Sequence, residues 1–119
     1  MYICNVKNDV MNKIKILLLD EAKQFMMQCP KSAGIKILRV FDRVEAGLID
    51  ASLFKKIKGT DIWEFRVEYE SNAYRLLAFY DKKTKSLIVA THGFVKKSQK
   101  TPQKEIEKAE RIMKEYYKK

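Results

Sequence analysis

The side chains in this chain best suited to chemistry are basic. Lys55, Lys56 and Lys58 crowd ahead of Gly59; Arg66 and Arg75 fall in two successive alternating stretches; Lys96, Lys97 and Lys100 follow a third. If strand ends gather these groups along one side of a sheet, the result is a groove that holds a phosphodiester and stabilises the extra negative charge of a pentacoordinate transition state. Arginine suits that work because its planar fork grips two phosphate oxygens. A lysine flanked by other cations has a depressed pKa, which lets it serve as a base. Arg75 interrupts the otherwise apolar run Tyr74 to Tyr80, so it must find a partner or line a groove. Lys82, Lys83 and Lys85 read instead as a solvated turn, and Trp63, Phe65 and Phe79 as core rather than base-stacking platforms.

Other chemistries find little footing. His92 is the sole histidine, and Cys4 and Cys29 lack ligand spacing, so neither a metal centre nor a nucleophilic triad is expected. The two cysteines read as reduced thiols. Nucleotide-binding glycine loops and a Gly-x-Ser-x-Gly elbow are missing too, so no cofactor is expected. The net charge of +10, from 25 basic and 15 acidic residues, favours nucleic acid or an acidic protein as partner. The opening residues MYICNV show no signal-peptide pattern, and no apolar run approaches the roughly 20 residues that a membrane helix needs. The expectation is a cytoplasmic protein with no membrane association.

The elements that must position the basic groups follow from periodicity. Residues 1–13 are polar and aperiodic and read as an N-terminal extension, ahead of a single domain over 14–119. Ile14 to Leu19 suits either a strand or the first turn of a helix, with a strand favoured. Asp20 offers an N-cap for a first helix that Pro30 must stop. A second helix from Lys31 or Ser32 to Ala46 aligns Ile37, Phe41, Val44 and Leu48 on one face, with Gly47 as its left-handed stop. From Ile62 the period becomes two: Trp63, Phe65, Val67 and Tyr69 point one way, Glu64, Arg66 and Glu68 the other. A turn at Ser71–Asn72, a strand over Tyr74 to Tyr80, a second turn and a strand over Leu87 to Phe94 complete an antiparallel meander. A basic loop then runs from Val95 to Lys100. Thr101 can cap a final helix with Pro102 as its first residue, and Ile106, Ala109, Met113 and Tyr116 form its apolar seam. That helix either packs on the sheet or docks a partner.

Four segments in order carry a family likeness. Lys-Lys-Ile-Lys-Gly (55–59), Trp-Glu-Phe-Arg (63–66), Tyr-Arg-Leu-Leu (74–77) and His-Gly-Phe-Val-Lys-Lys-Ser-Gln-Lys-Thr-Pro (92–102) resemble the RelE/ParE toxin superfamily, most of all its phage-derived HigB-type branch. The resemblance implies an α+β, RelE-like fold: an N-terminal helical hairpin packed on a small, curved, mainly antiparallel sheet, with a C-terminal helix. It also implies the toxin of a type II toxin–antitoxin pair. Such a toxin is a metal-independent endoribonuclease that cuts message in the ribosomal A site. The ribose 2′-OH attacks the adjacent phosphate, leaving a 2′,3′-cyclic phosphate and a free 5′-OH.

By the same resemblance Arg75 clamps the scissile phosphate, and Arg66 assists as base or charge stabiliser. Lys96 or Lys97 assists the leaving group, and His92 assists proton transfer, with Gly93 making a turn beside it. Lys55, Lys56, Lys58, Lys100 and Lys104 fall to contacts with ribosomal RNA or message, and a helix-turn-helix antitoxin is the neutralising partner. RelE itself uses a C-terminal tyrosine. Here that region is a helix, and Tyr116 and Tyr117 near its far end do not align with that group. The alternatives are a ParE-like inhibitor of DNA gyrase, or a non-catalytic domain that binds RNA or protein.

Overall fold

The computed structural model describes residues 14–119. The expected extension over 1–13, with Cys4, lies outside the described residues. Element order is β1 (Lys15–Leu18), α1 (Asp20–Gln28), α2 (Lys31–Glu45), β2 (Phe54–Lys56), β3 (Trp63–Tyr69), β4 (Asn72–Tyr80), β5 (Leu87–Lys96) and α3 (Gln103–Lys118). One five-stranded sheet has the order β1-β5-β4-β3-β2, with β1 parallel to β5 and the other pairs antiparallel.

The helical hairpin forms as its sequence dictates. Asp20 and Glu21 place negative charge in the first turn of α1, where the helix dipole favours it. Asp20 is the first helical residue rather than the cap, because the chain turns one residue earlier, at Leu19. Cys29 and Pro30 are extended and break the helices apart. Ala33, Ile37, Val40, Phe41 and Val44 of α2 face the sheet, and Gly47 stops the helix at φ +86°. Leu48, expected on that face, is 58% exposed, since the left-handed residue turns the chain away before it.

The sheet separates two apolar layers. Ile37, Phe41 and Val44 pack on Phe54, Phe65, Val67, Leu76 and Ala78 on the hairpin face. Phe54 is central there, with its ring centroid 4.4 Å from Phe65 and 4.9 Å from Trp63. It belongs to β2, a three-residue edge strand beyond the expected meander. On the opposite face Ile62, Leu77, Phe79 and Val89 meet Ala109, Met113, Tyr116 and Tyr117 of α3. The C-terminal helix therefore packs on the sheet.

Two departures from the simple meander matter for the site. The β3–β4 turn is Glu70–Ser71, with φ of +47° and +67°, one residue ahead of the expected pair. Tyr69 and Asn72 face each other across it, so both carry on the ladder. The β4–β5 ladder shifts at Leu77/Ala78: Leu77 pairs with His92 but Ala78 pairs with Ala90, leaving Thr91 as an extra residue. Such a bulge resets the alternation of the strand.

Beyond the bulge β5 continues to Lys96, so Val95 and Lys96 are strand rather than loop. Gly93 is likewise mid-strand and makes no turn. A Cβ there would overlap the Phe25 ring, so glycine lets α1 seat directly on β5.

Candidate functional site

Register places the charged residues in a grid on the α3 face of the sheet, beyond the first turn of that helix. Lys55, Glu64, Leu77 and His92 form one row across four strands. Arg66, Arg75 and Phe94 form the next, and Glu68, Ala73 and Lys96 the third. Trp63, Phe65 and Val67 fill the hairpin core, so alternation turns Glu64, Arg66 and Glu68 to this opposite face.

Two arginines directly across a ladder repel one another. Glu64 offsets this from beneath: its Oε1 lies 3.7 Å from Arg66 Nε and 3.9 Å from Arg75 Nε. Glu64 is buried, and its Oε2 accepts a hydrogen bond from the Thr101 hydroxyl. Thr101 thus ties the basic loop to the arginine pair, while Pro102 takes the N-cap position of α3 expected for Thr101.

Arg75 is the floor of the grid, only 4% exposed. Its Nη1 donates to the Tyr74 carbonyl at 3.0 Å, and its Nη2 meets Glu68 Oε2 at 3.0 Å. Among the described residues, the Nε–H groups of Arg66 and Arg75 are both buried without a hydrogen-bond partner. Buried donors left open in this way are uncommon and suit an anion. Lys96 borders the pair. Partial burial, and then the two arginine charges, push its ammonium pKa below the usual lysine value, against the opposing pull of Glu64 and Glu68.

His92 occupies a different environment. It is 2% exposed, with Nδ1 3.0 Å from the Thr91 hydroxyl and Nε2 3.0 Å from Glu105 Oε1 in the first turn of α3. Burial lowers its pKa, although Glu105 works the other way. A neutral ring that donates from Nε2 to Glu105 leaves Nδ1 as an acceptor facing the Thr91 hydroxyl, whose single proton is shared with the Leu77 carbonyl 3.1 Å away. Both nitrogens are engaged, and the side chain struts β5 against α3.

The remaining sequence candidates spread outward. Lys97 and Lys100 are exposed past the end of β5, and Lys104 is exposed on the first turn of α3. Lys55 and Lys56 are exposed on edge strand β2, and Lys58 is exposed beside Gly59, whose φ is +80°.

Tyr116 and Tyr117 anchor the opposite end of the sheet. Tyr116 donates to Asp81 at 2.8 Å, and the Tyr117 hydroxyl accepts the Lys82 amide at 3.1 Å. Asp81, the residue after β4, is six residues beyond Arg75, roughly 20 Å at strand rise. Sequence reasoning passes over Glu64, Glu68 and Thr101 as functional candidates. The usable signal is the alternation Glu64-x-Arg66-x-Glu68, which puts both acids on the face of the arginine.

Comparisons with known proteins agree with this architecture. The family profile described as Phage derived protein Gp49-like (DUF891) matches residues 24–114. A free-state mutant of the E. coli toxin RelE superposes with a TM-score of 0.57 at 15% identity, covering 83% of this chain and 96% of the other. The toxin–antitoxin complex RelBE2 from Mycobacterium tuberculosis contains a chain that matches with a TM-score of 0.52 at 14% identity, covering 72% of this chain and 94% of that one. At these identities the likeness is one of fold, and the fold is RelE-like. No curated protein matches the chain.

Proposed function

The chain belongs to the phage-derived Gp49-like family, and we propose that it is the toxin of a type II toxin–antitoxin pair, a metal-independent endoribonuclease of the HigB-type branch. Its substrate in this reading is message in the ribosomal A site, its action cytoplasmic, and its neutralising partner a small helix-turn-helix antitoxin. The observation that carries the reading is the cross-strand pair Arg66 and Arg75, with open buried Nε donors and Lys96 beside them.

In the proposed reaction Arg75 holds the scissile phosphate against the floor of the sheet. Arg66 shares the charge that accumulates as the 2′ oxygen adds to phosphorus. A guanidinium stays protonated at any physiological pH, so both arginines serve as electrostatic stabilisers and not as bases. Lys96, with its depressed pKa, gives a proton to the departing 5′ oxygen more readily than an ordinary lysine does. Lys97 extends positive charge toward the same strand end. Lys55, Lys56, Lys58, Lys100 and Lys104 contact ribosomal RNA or message. His92 acts through α3, holding the helix that frames the grid, rather than on the phosphate.

The test uses purified protein, programmed ribosomes and mapped message 5′ ends. Arg75→Lys keeps the charge that compensates Glu64 but loses the planar fork. Cleavage is expected to fall about 100-fold or more, as on loss of a transition-state donor, with little change in melting temperature. Full activity in that variant removes Arg75 from the mechanism. Uncut message together with inhibited DNA supercoiling by the wild type would replace the endonuclease with a gyrase binder.

A further inference from the structure

The proposed reaction still needs a group to take the proton from the 2′-OH. The arginines cannot be deprotonated. His92 has both nitrogens engaged and is closed over by α3, and the C-terminal tyrosines lie at the other end of the sheet. Among the described residues, Glu105 on the first turn of α3 is tied to His92, and the strands themselves bring two carboxylates to this face. Glu64 is 6% exposed and committed on both oxygens, one beneath the arginine pair and the other to Thr101, so it has no free edge for a substrate hydroxyl.

Glu68 is placed differently. Its side chain is 67% exposed, yet Oε2 sits 3.0 Å from Nη2 of the buried Arg75. It stands in the row of Lys96, one ladder step from the arginine pair. Its backbone is held from the other side of the sheet, where the Lys36 ammonium of α2 donates to the Glu68 carbonyl. The backbone is anchored, and the carboxylate reaches Arg75 from the solvent side.

We propose that Glu68 is the general base of this site: it caps Arg75 in the free protein, yields Nη2 to a phosphate oxygen when RNA binds, and then accepts the 2′-OH proton. The assignment rests on the endonuclease reading above. Displacement leaves the carboxylate next to the phosphate, and the attacking 2′ oxygen must itself lie about 3–3.5 Å from phosphorus. The proton passes from the 2′-OH to Glu68 as the O2′–P bond forms. The P–O5′ bond breaks, and O5′ takes a proton from Lys96. Glu68 then returns its proton to water and Lys96 regains one, so the enzyme is restored with no further reactant.

The test compares wild type with Glu68→Gln on programmed ribosomes, using cleavable message and the same message with a single 2′-deoxy nucleotide at the cut site. The exposed position lets the variant fold, which an unchanged melting temperature verifies. Glu68→Gln is expected to cut about 100-fold or more slowly, within the usual range for loss of a general base. It should also lose the acidic limb of the pH–rate profile and bind the 2′-deoxy message as tightly as wild type or tighter, because a competing carboxylate has gone. Cleavage by Glu68→Gln at the wild-type rate or faster across the pH range overturns the assignment and leaves the endonuclease reading standing. If the wild type cuts nothing, both fall.

Discussion

Arg75 is the kind of residue that announces itself: a guanidinium amid apolar strand positions has to be explained. Its partner Glu64 does not, because an acid in an alternating strand reads as solvated until register brings two arginines over it. The electrostatics of the pair then depend on that carboxylate. Glu64→Gln leaves two guanidiniums facing each other with less compensation, at an expected cost of about 2 kcal/mol, below the full value for a deeply buried pair because Arg66 is partly exposed. Urea denaturation measures it, and Arg66→Gln in the same background should return part of the loss. No cost would mean that the pair needs no counter-charge.

His92 gives a pH dependence of its own. Its folded pKa lies below the unfolded value, so the unfolded chain binds the proton more readily. Stability is therefore highest above the unfolded pKa and falls as acidification proceeds from there toward the folded pKa. In His92→Gln that part of the acid slope should vanish, as followed by denaturant midpoints in buffers from neutral to mildly acidic. An unchanged slope would assign it to carboxylates instead.

Among the elements, the helices and the long strands are readable because burial follows their periods of 3.6 and two. Ile37, Phe41 and Val44 mark α2, and Trp63, Phe65 and Val67 mark β3. Three features are not readable. Strand β2 is three residues, Phe-Lys-Lys, too short to show a period, and it exists because Phe54 completes an aromatic cluster contributed by other strands. Thr101 could cap α3 or bond elsewhere, and only the tertiary position of Glu64 decides between them. The β3–β4 turn falls one residue earlier than expected because Glu70 and Ser71 are not the residues that a left-handed two-residue turn prefers.

That last mismatch leaves room for improvement. Replacing Glu70–Ser71 by Asn-Gly should stabilise the protein by about 1 kcal/mol, since both positions carry positive φ. In thermal unfolding this corresponds to a rise of roughly 4–8 °C. Destabilisation instead would mean that the hairpin closes by another geometry. Activity should survive, because the grid begins at Glu68 and the turn only sets its register.

At the scale of the molecule, much of the +10 charge is carried by exposed groups around the rim of the grid. Lys55, Lys56 and Lys58 lie on an edge strand and the loop after it, and Lys97, Lys100 and Lys104 at the other side of the grid. In the proposed endonuclease reading, their effect on RNA binding is uniform across sequences and sensitive to salt. Replacing Lys55, Lys56 and Lys58 by glutamine should flatten the slope of log affinity against log salt by ~0.7 for each single-strand phosphate no longer neutralised, ~2 in all. An unchanged slope would place the RNA path elsewhere.

The extra residue at Thr91 has a consequence for the lineage of such chains. It lets Thr91 and His92 both belong to the α3 face, and Phe94 and Lys96 follow them there while Gly93 and Val95 meet the hairpin. Deleting Thr91 would leave Leu77 opposite His92 and Ala78 opposite Ala90 in a regular ladder, so Lys96 would stay beside the arginines and Val95 in the apolar layer. A chain one residue shorter at this point would therefore carry the same grid on a straighter strand.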